Sequence, residues 1–145
     1  MIKLLKLCIT LGFVTCLTTG CVNQATGSVD SSTNLLALKT MYVKKLADDN
    51  TDTNVFIADK LRSKGVTVTT GTEVPPSGVD AVVTYVEKWM WDITMYMYQL
   101  TVTIRDPKTD FPMASGNSVH GSLTRLSPKE MSNEVVDSIY KGVNK

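Results

Sequence analysis

The feature that most constrains this chain is its N-terminal segment, which has the three parts of a secretory signal peptide. Lys3 and Lys6 precede an apolar run over residues 7–17, and small polar residues follow at 18–20, directly before Cys21. The apolar run is well short of the ~20 residues that a membrane-spanning helix needs. We therefore predict that residues 1–20 form a signal peptide that is removed, which leaves 125 of the 145 residues in the mature protein.

The junction at residues 17–21, which reads LTTGC, resembles the lipobox of bacterial lipoproteins. In that motif a small residue precedes a cysteine that receives diacylglycerol before the signal is cut. The sequence departs from it at Thr18, where the family usually has Leu. The resemblance implies that Cys21 carries several acyl chains, which suffice for stable membrane anchoring. Val22 implies sorting to the outer membrane, facing the periplasm. The alternative is a secreted protein in which Cys21 follows the cleavage site by chance.

Cysteine usage and charge exclude several classes of function. Cys8 and Cys16 lie within the signal, so the mature chain has neither an internal disulfide nor a cysteine-based zinc site. Without Lys3 and Lys6, 13 basic side chains remain against 14 acidic ones. This balance, with no basic block, argues against nucleic-acid binding and against a polybasic membrane patch.

The composition divides the mature chain into two parts. Residues 21–34 are rich in Asn, Gln, Thr, Gly and Ser and have almost no apolar content, so we expect a flexible lipidated tether there. Residues 35–145 are expected to form a single α+β periplasmic domain. The alternating pattern predicts strands over 35–44, 66–69, 80–91, 94–105 and 113–120.

Two helices are expected to cover this sheet. The first follows the acidic turn at 48–52 and ends near Gly65, with its apolar residues at helical spacing. The second begins at the capping box of Ser127 and Glu130 and runs to about Tyr140. The order of elements predicts a mainly antiparallel sheet of four to five strands with two helices packed on one face, and an all-β sandwich is the alternative. The expected core residues are Val55, Ile57, Ala58, Leu61, Tyr96, Tyr98, Leu100, Val102, Ile104, Met131, Val135 and Ile139.

The order of elements and three short runs carry a resemblance. They are DAVVTY at 80–85, WMWD at 89–92 and DPKT at 106–109. Together they resemble small uncharacterised outer-membrane lipoproteins of Gram-negative bacteria. The α/β domain of those proteins is similar in outline to the N-terminal domain of TolB and to the envelope-assembly lipoproteins LptE and LpoB. The resemblance covers about residues 35–143 and implies docking, assembly or regulation by protein contact, but it identifies no functional residue.

Polar clusters do not predict catalytic or metal-binding chemistry. The acidic residues at 48–52 resemble a calcium loop but lack the Gly and the final Glu of an EF-hand, so we interpret them as a solvated turn and helix N-terminus. His120 is the single histidine, which leaves no multi-histidine metal site, and we interpret it as an ordinary residue near a strand end. We predict no catalytic residue, no metal and no cofactor.

Aromatic side chains are dense between residues 85 and 98. Strand alternation places Tyr85, Trp89 and Trp91 on one face, where they form a candidate binding patch for a protein, a glycan or a lipid. The alternative is that these rings are buried in the core of the domain. Because the strand at 94–105 already offers the helices an apolar face, we expect the two Trp side chains to be partly exposed on the opposite face.

These observations favour a lipid-anchored periplasmic binding or scaffolding module of the cell envelope that is not catalytic. Its expected partners are the membrane, through lipid on Cys21, and an envelope protein, without nucleic acid. A carrier of a lipid or other small apolar ligand, held near the Trp/Met hairpin, is the alternative, and an enzyme is the third hypothesis.

Replacing Cys21 with Ala should abolish acylation and block removal of the signal, because the thioether to diacylglycerol needs the thiol. Metabolic labelling with a fatty-acid analogue measures this directly. Cys16→Ala is the matched control: it lies inside the signal and should leave labelling unchanged. An unlabelled wild-type protein would contradict the prediction.

Overall fold

The computed structural model describes residues 23–143, so residues 1–20 and Cys21 lie outside the described part of the chain. Short one-turn 3-10 helices occupy Leu35–Ala37 and Ser122–Thr124. The strands and helices, in chain order, are β1 (Gln24–Val29), β2 (Thr40–Lys44), α1 (Thr53–Ser63), β3 (Thr67–Gly71), β4 (Ala81–Asp92), β5 (Thr94–Arg105), β6 (Pro112–Val119) and α2 (Pro128–Gly142).

The described strands form one mixed sheet in the order β1-β6-β5-β4-β2-β3. The α+β class is confirmed, but the sheet has six strands rather than four to five. The β1–β6, β6–β5 and β5–β4 pairs are antiparallel, whereas β2 pairs parallel with both β3 and β4. The β2–β3 pair is parallel because α1 carries the chain from β2 back to the start of β3, and β4 joins β2 in parallel after a second return of the chain through residues 72–80.

Both helices pack on the same face of the sheet and contact each other. The predicted capping box is present at the start of α2, where the Ser127 hydroxyl accepts from the Glu130 amide (3.3 Å) and the Glu130 carboxylate accepts from the Ser127 amide (2.8 Å). The core under the helices contains most of the expected residues, namely Ile57, Ala58, Leu61, Leu100, Val102, Ile104, Met131, Val135 and Ile139.

The first predicted strand and the first predicted helix differ from the structure in which of their residues lie in the element or in the core. The strand expected over 35–44 begins only at Thr40, because the carboxylate of Asp80 accepts from the backbone amides of Lys39 and Thr40 and sets the start of β2 there. Leu35 turns into the core instead. In α1, Val55 was expected in the core but is exposed, since Ile57 occupies the inward position beside Ala58 and Leu61.

The prediction of a flexible tether over 21–34 is wrong for Gln24–Val29. These residues form β1, which pairs along its whole length with β6 at the edge of the sheet. They contribute little apolar surface, so neither composition nor alternation marks them as a strand. Their stabilisation comes from backbone hydrogen bonds to β6 and from α2, which packs over β1.

Close packing of α2 depends on two glycines that face each other across β1 and β6. Gly27 and Gly116 are direct cross-strand partners. A Cβ at position 27 would overlap the backbone carbonyl of Ser138, and one at position 116 would lie 2.7 Å from Cγ1 of Ile139. Real Cβ atoms do not approach other atoms so closely, so α2 can lie at this depth only where the strands have no side chains.

Replacing Gly27 with Ala should therefore lower the free energy of unfolding by about 1–3 kcal/mol or more, because the new methyl group meets helix backbone that cannot move aside cheaply. Urea unfolding of a soluble form beginning at Val22 measures the change. Gly121→Ala is the matched control, since a Cβ there meets no atom within 4 Å. Equal stability of the two variants would contradict this account of α2 packing.

Candidate functional site

The hairpin of β4 and β5 extends past the rest of the sheet. Four strands meet in one cross-sheet row, in which Gln24 faces Val119, Val119 faces Gln99, and Gln99 faces Lys88, and β1 and β6 end at this row. Beyond this row only β4 and β5 continue, paired with each other up to the turn at Ile93. We call residues 89–97 the arm. It is a two-stranded ribbon that projects from one end of the sheet.

A β-bulge at the base of the arm decides which side chains face which way. Lys88 faces Gln99 but Trp89 faces Met97, so Tyr98 is an extra residue without a partner. Tyr96 is buried as predicted, at 7% exposed, but the alternation of β5 inverts at this bulge, so its side chain faces away from the helices and not into the core beneath them. Tyr98 is half-buried, and Met97 rather than Tyr96 joins the core.

The candidate patch of Tyr85, Trp89 and Trp91 is divided by the structure. Tyr85 lies in the core and does not reach the surface. Trp89 is 38% exposed and Trp91 is 71% exposed. Because Trp89 faces the core residue Met97, the two Trp side chains lie on the helix-bearing side, not on the opposite face as expected. They are exposed because the arm reaches past the helices.

Sequence reasoning missed the rest of the exposed apolar surface on the arm. Met95 faces Trp91 across the hairpin and is exposed, and Ile93 at the turn is 85% exposed. Met90, on the opposite face of β4, is also exposed. The available signal was Ile93 itself, a β-branched residue at the second position of the predicted turn 92–93, where Gly usually follows Asp.

Arg125, in the segment before α2, holds the arm in place. Its guanidinium donates to the Asp92 carbonyl oxygen and to the Thr94 hydroxyl, each at 2.6 Å, and lies 4.2 Å from the ring centre of Tyr96. The Asp92 carboxylate also accepts from the Ser122 hydroxyl and lies 3.4 Å from Arg125. The arm is therefore braced on one face, while its Trp side remains open.

Ile93 adopts a backbone conformation that is unfavourable for its side chain. Its φ angle is +63°, in the left-handed region that β-branched residues rarely enter. Glycine or asparagine would occupy this turn at lower energy. The exposed Ile93 side chain therefore stabilises the folded domain neither by hydrophobic burial nor by a favourable turn conformation. Such backbone strain is typical of functional positions.

A buried network joins the acidic turn to the sheet. The carboxylate of Asp49 accepts from the Tyr85 hydroxyl at 2.6 Å, and that hydroxyl accepts from the Leu46 amide at 3.2 Å. Asp49 is buried, so the expectation of a solvated turn is wrong for this residue. Its carboxylate caps the start of α1 by accepting from the backbone amides of Thr51, Thr53 and Asn54.

The same network shifts the pKa values of both groups. Burial acts to raise the pKa of Asp49, but the hydrogen bonds from Tyr85 and from the backbone amides outweigh it, and the net pKa is lowered. The pKa of Tyr85 is raised by burial and then by its hydrogen bond to the Asp49 carboxylate. Asp49 is therefore a structural anion rather than a proton donor or acceptor for chemistry.

His120 is more than an ordinary strand-end residue, because it is buried and paired. Its Nε2 lies 2.7 Å from Oε2 of Glu134, and the hydroxyl of Ser118 donates to the same oxygen at 2.5 Å. In a hydrolase triad the serine bonds the histidine and is open to substrate. Here Ser118 is fully buried and bonds the carboxylate directly. The cluster therefore joins β6 to α2.

Residues 23–143 contain no group of three His, Cys, Asp or Glu side chains that could hold a metal ion. Within the same residues no helix is long and apolar enough to cross a membrane.

Solved structures share the fold at low sequence identity. A PelC dodecamer from Paraburkholderia phytofirmans matches with a TM-score of 0.57 and 11% identity, over 82% of this chain and 97% of its own. TolB from Acinetobacter baumannii matches with a TM-score of 0.54 and 13% identity, over 86% of this chain and 31% of its own. A PDZ domain protein from Parabacteroides distasonis matches with a TM-score of 0.53 and 13% identity, over 81% of this chain and 34% of its own.

The sequence matches no protein-family model and no curated protein. The predicted likeness to TolB is confirmed as a likeness of fold, and at these identities the comparisons show the fold alone. The likeness to LptE and LpoB stays a prediction.

Replacing Ile93 with Gly should raise the free energy of unfolding by up to about 1 kcal/mol, because relief of the left-handed strain exceeds the added entropy of the unfolded chain. Val74→Gly is the control: Val74 is 86% exposed and has no positive φ, so glycine there should lower stability by about 0.4–1 kcal/mol. Urea unfolding of both variants should show opposite signs. A destabilised Ile93→Gly protein would refute the strain argument.

Asp49 should make the stability of the domain depend on pH in the acid range. Its folded-state pKa is lowered, so its contribution is complete above the unfolded pKa of about 3.9 and is lost as pH falls through the folded value. Asp49→Asn should cost about 1.5–3 kcal/mol at neutral pH, a difference that shrinks below about pH 4. The exposed neighbour Asp48 serves as control, and Asp48→Asn should change stability little at any pH. A constant deficit for Asp49→Asn across this range would show that ionisation of Asp49 is not involved.

Proposed function

We propose that this protein is a lipid-anchored module of the bacterial cell envelope that acts by surface contact rather than by catalysis, with the arm as its contact surface. The predicted export signal and the lipobox resemblance at Cys21 support the envelope location. The fold it shares with TolB and PelC agrees with this assignment.

The exposed apolar surface of the arm is the observation that carries the proposal. Single exposed apolar residues are common on soluble domains, but a contiguous group on one projecting element marks an interaction site. Trp91, Ile93 and Met95 form such a group, with Trp89 at its base. Arg125 braces the arm, which lowers the entropy lost when this surface binds.

The geometry favours contact over the alternative of carrying a small apolar ligand. A carrier encloses its ligand in a cavity lined by apolar side chains. The Trp and Met side chains that would line such a cavity instead project into solvent from a two-stranded ribbon. An open groove of about 450 Å³ lies beside the β5–β6 turn, near Asp106 and Phe111, but it is at the opposite end of β5 from the arm.

Site-specific photo-crosslinking in cells tests the proposal. A photoreactive phenylalanine at position 91, on the arm, should form an adduct with a component of the envelope, either a protein or a lipid. The same residue at position 74 is the control, because Val74 is even more exposed than Trp91 but lies beside Lys108 at the other end of the sheet. Equal yields from the two positions, or no adduct from position 91, would contradict a contact role for the arm.

A further inference from the structure

The chain enters the sheet at the same end from which the arm projects. Gln24 lies in the cross-sheet row that forms the base of the arm. The side chain of the preceding residue, Asn23, accepts a hydrogen bond from the Thr124 hydroxyl. Thr124 is next to Arg125, which braces the arm. The N-terminal end of the described chain is therefore placed beside the arm by side-chain contacts as well as by strand register.

The length of the chain between Gln24 and Cys21 limits how far the lipid can lie from this cross-sheet row. Three residue steps separate Gln24 from Cys21, and whatever their path they span at most about 10 Å. The arm advances five residue steps from Gln99 to Thr94, a rise of roughly 15 Å in the same direction. Even when the chain from Gln24 back to Cys21 runs along the arm, Cys21 therefore lies closer to the cross-sheet row than the turn at Ile93 does. The distance between the domain and the lipid on Cys21 is therefore short, because the residues that could form a long tether are part of β1.

The side chains at the end of the arm suit the boundary between lipid and water. Trp is enriched at this boundary, where its ring contacts hydrocarbon and its N–H remains hydrated. Ile93 and Met95 supply apolar surface at and beside the turn. Asp92 is the single charged residue within 89–97, and Arg125 pairs with it. The arm therefore carries no unpaired charge that would oppose entry into the interface.

We propose that the arm inserts its Trp91–Ile93–Met95 end into the interface of the same bilayer that holds the lipid on Cys21, so that the domain is attached at two points. This inference rests on the proposed lipid anchor and names the partner of the arm. It accounts for an exposed isoleucine in a strained turn, since the side chain is buried only when the membrane is present.

The test uses the mature lipidated protein reconstituted into phosphatidylcholine vesicles. The sequence has two Trp residues, Trp89 and Trp91, and both lie on the arm, so intrinsic fluorescence reports on the arm without a label. Replacing part of the lipid with phosphatidylcholine brominated on its acyl chains should quench the Trp emission. In the control W89F/W91F/V74W the single Trp lies at the far end of the sheet and should not be quenched.

A second pair of variants checks that the apolar turn is responsible. Ile93→Asp places an unpaired charge at the end of the arm and should restore most of the quenched emission. Val74→Asp adds the same charge at an equally exposed position and should leave quenching unchanged.

The outcomes separate this inference from the proposal on which it rests. Wild-type protein that fails to float with vesicles in a density gradient would overturn the lipid anchor. Protein that floats but keeps its full Trp emission in brominated lipid would overturn the inference alone. That result would indicate that the arm binds a protein or a second copy of this chain. Quenching that is equal in the V74W control would also overturn it.

Discussion

The fit of α2 against the edge of the sheet is the contact on which the rest of the structure depends. It requires two facing glycines, Gly27 and Gly116, because a side chain at either position would occupy the space of the helix. Through this contact α2 covers β1, a strand with almost no apolar side chains of its own. The position of β1 then fixes where the chain leaves the domain, and hence how close Cys21 must lie to the sheet.

Elements stabilised by side-chain burial could be predicted from the sequence. β5 has the predicted bounds, and the capping box of Ser127 begins α2. β1 could not be predicted, because backbone pairing and a close glycine contact stabilise it, and neither leaves an apolar periodicity. The bulge at Tyr98 was equally hidden, since a single extra residue inverts the facing of the side chains at 94–97 relative to those after the bulge without changing composition. The parallel pairing of β2 depends on how the chain crosses over, which strand patterns do not specify.

The candidate site was predictable in its residue types but not in its geometry. Alternation correctly grouped Tyr85 with Trp89 and Trp91, yet whether a residue on that face is buried depends on where the helices end. Tyr85 lies beneath them and bonds Asp49, whereas Trp91 lies beyond them. Asp49 is a polar residue for which the same was true. Its residue type predicted a turn, but its hydrogen bond with the Tyr85 hydroxyl depends on the fold and could not be predicted.

A domain attached through both its lipid and its arm has a defined orientation. If the domain is attached as proposed, the strands of the central hairpin run away from the bilayer, and the β5–β6 turn with its neighbouring loop points into the periplasm. The sheet face without helices is covered at the arm, where Arg125 lies on Tyr96, and elsewhere it carries partly exposed polar side chains such as Gln99, Thr101 and Asn117. Its side chains are already ordered, since the Asn117 oxygen accepts from Gln99 at 2.7 Å and from Thr101 at 2.8 Å. If the membrane occupies the apolar arm, a protein partner must be recognised by polar contacts such as these, because the apolar surface of the arm is no longer free. The likeness to PelC and TolB is a likeness of fold alone, so the roles proposed for the arm and for the helix-free face rest on the residues of this chain.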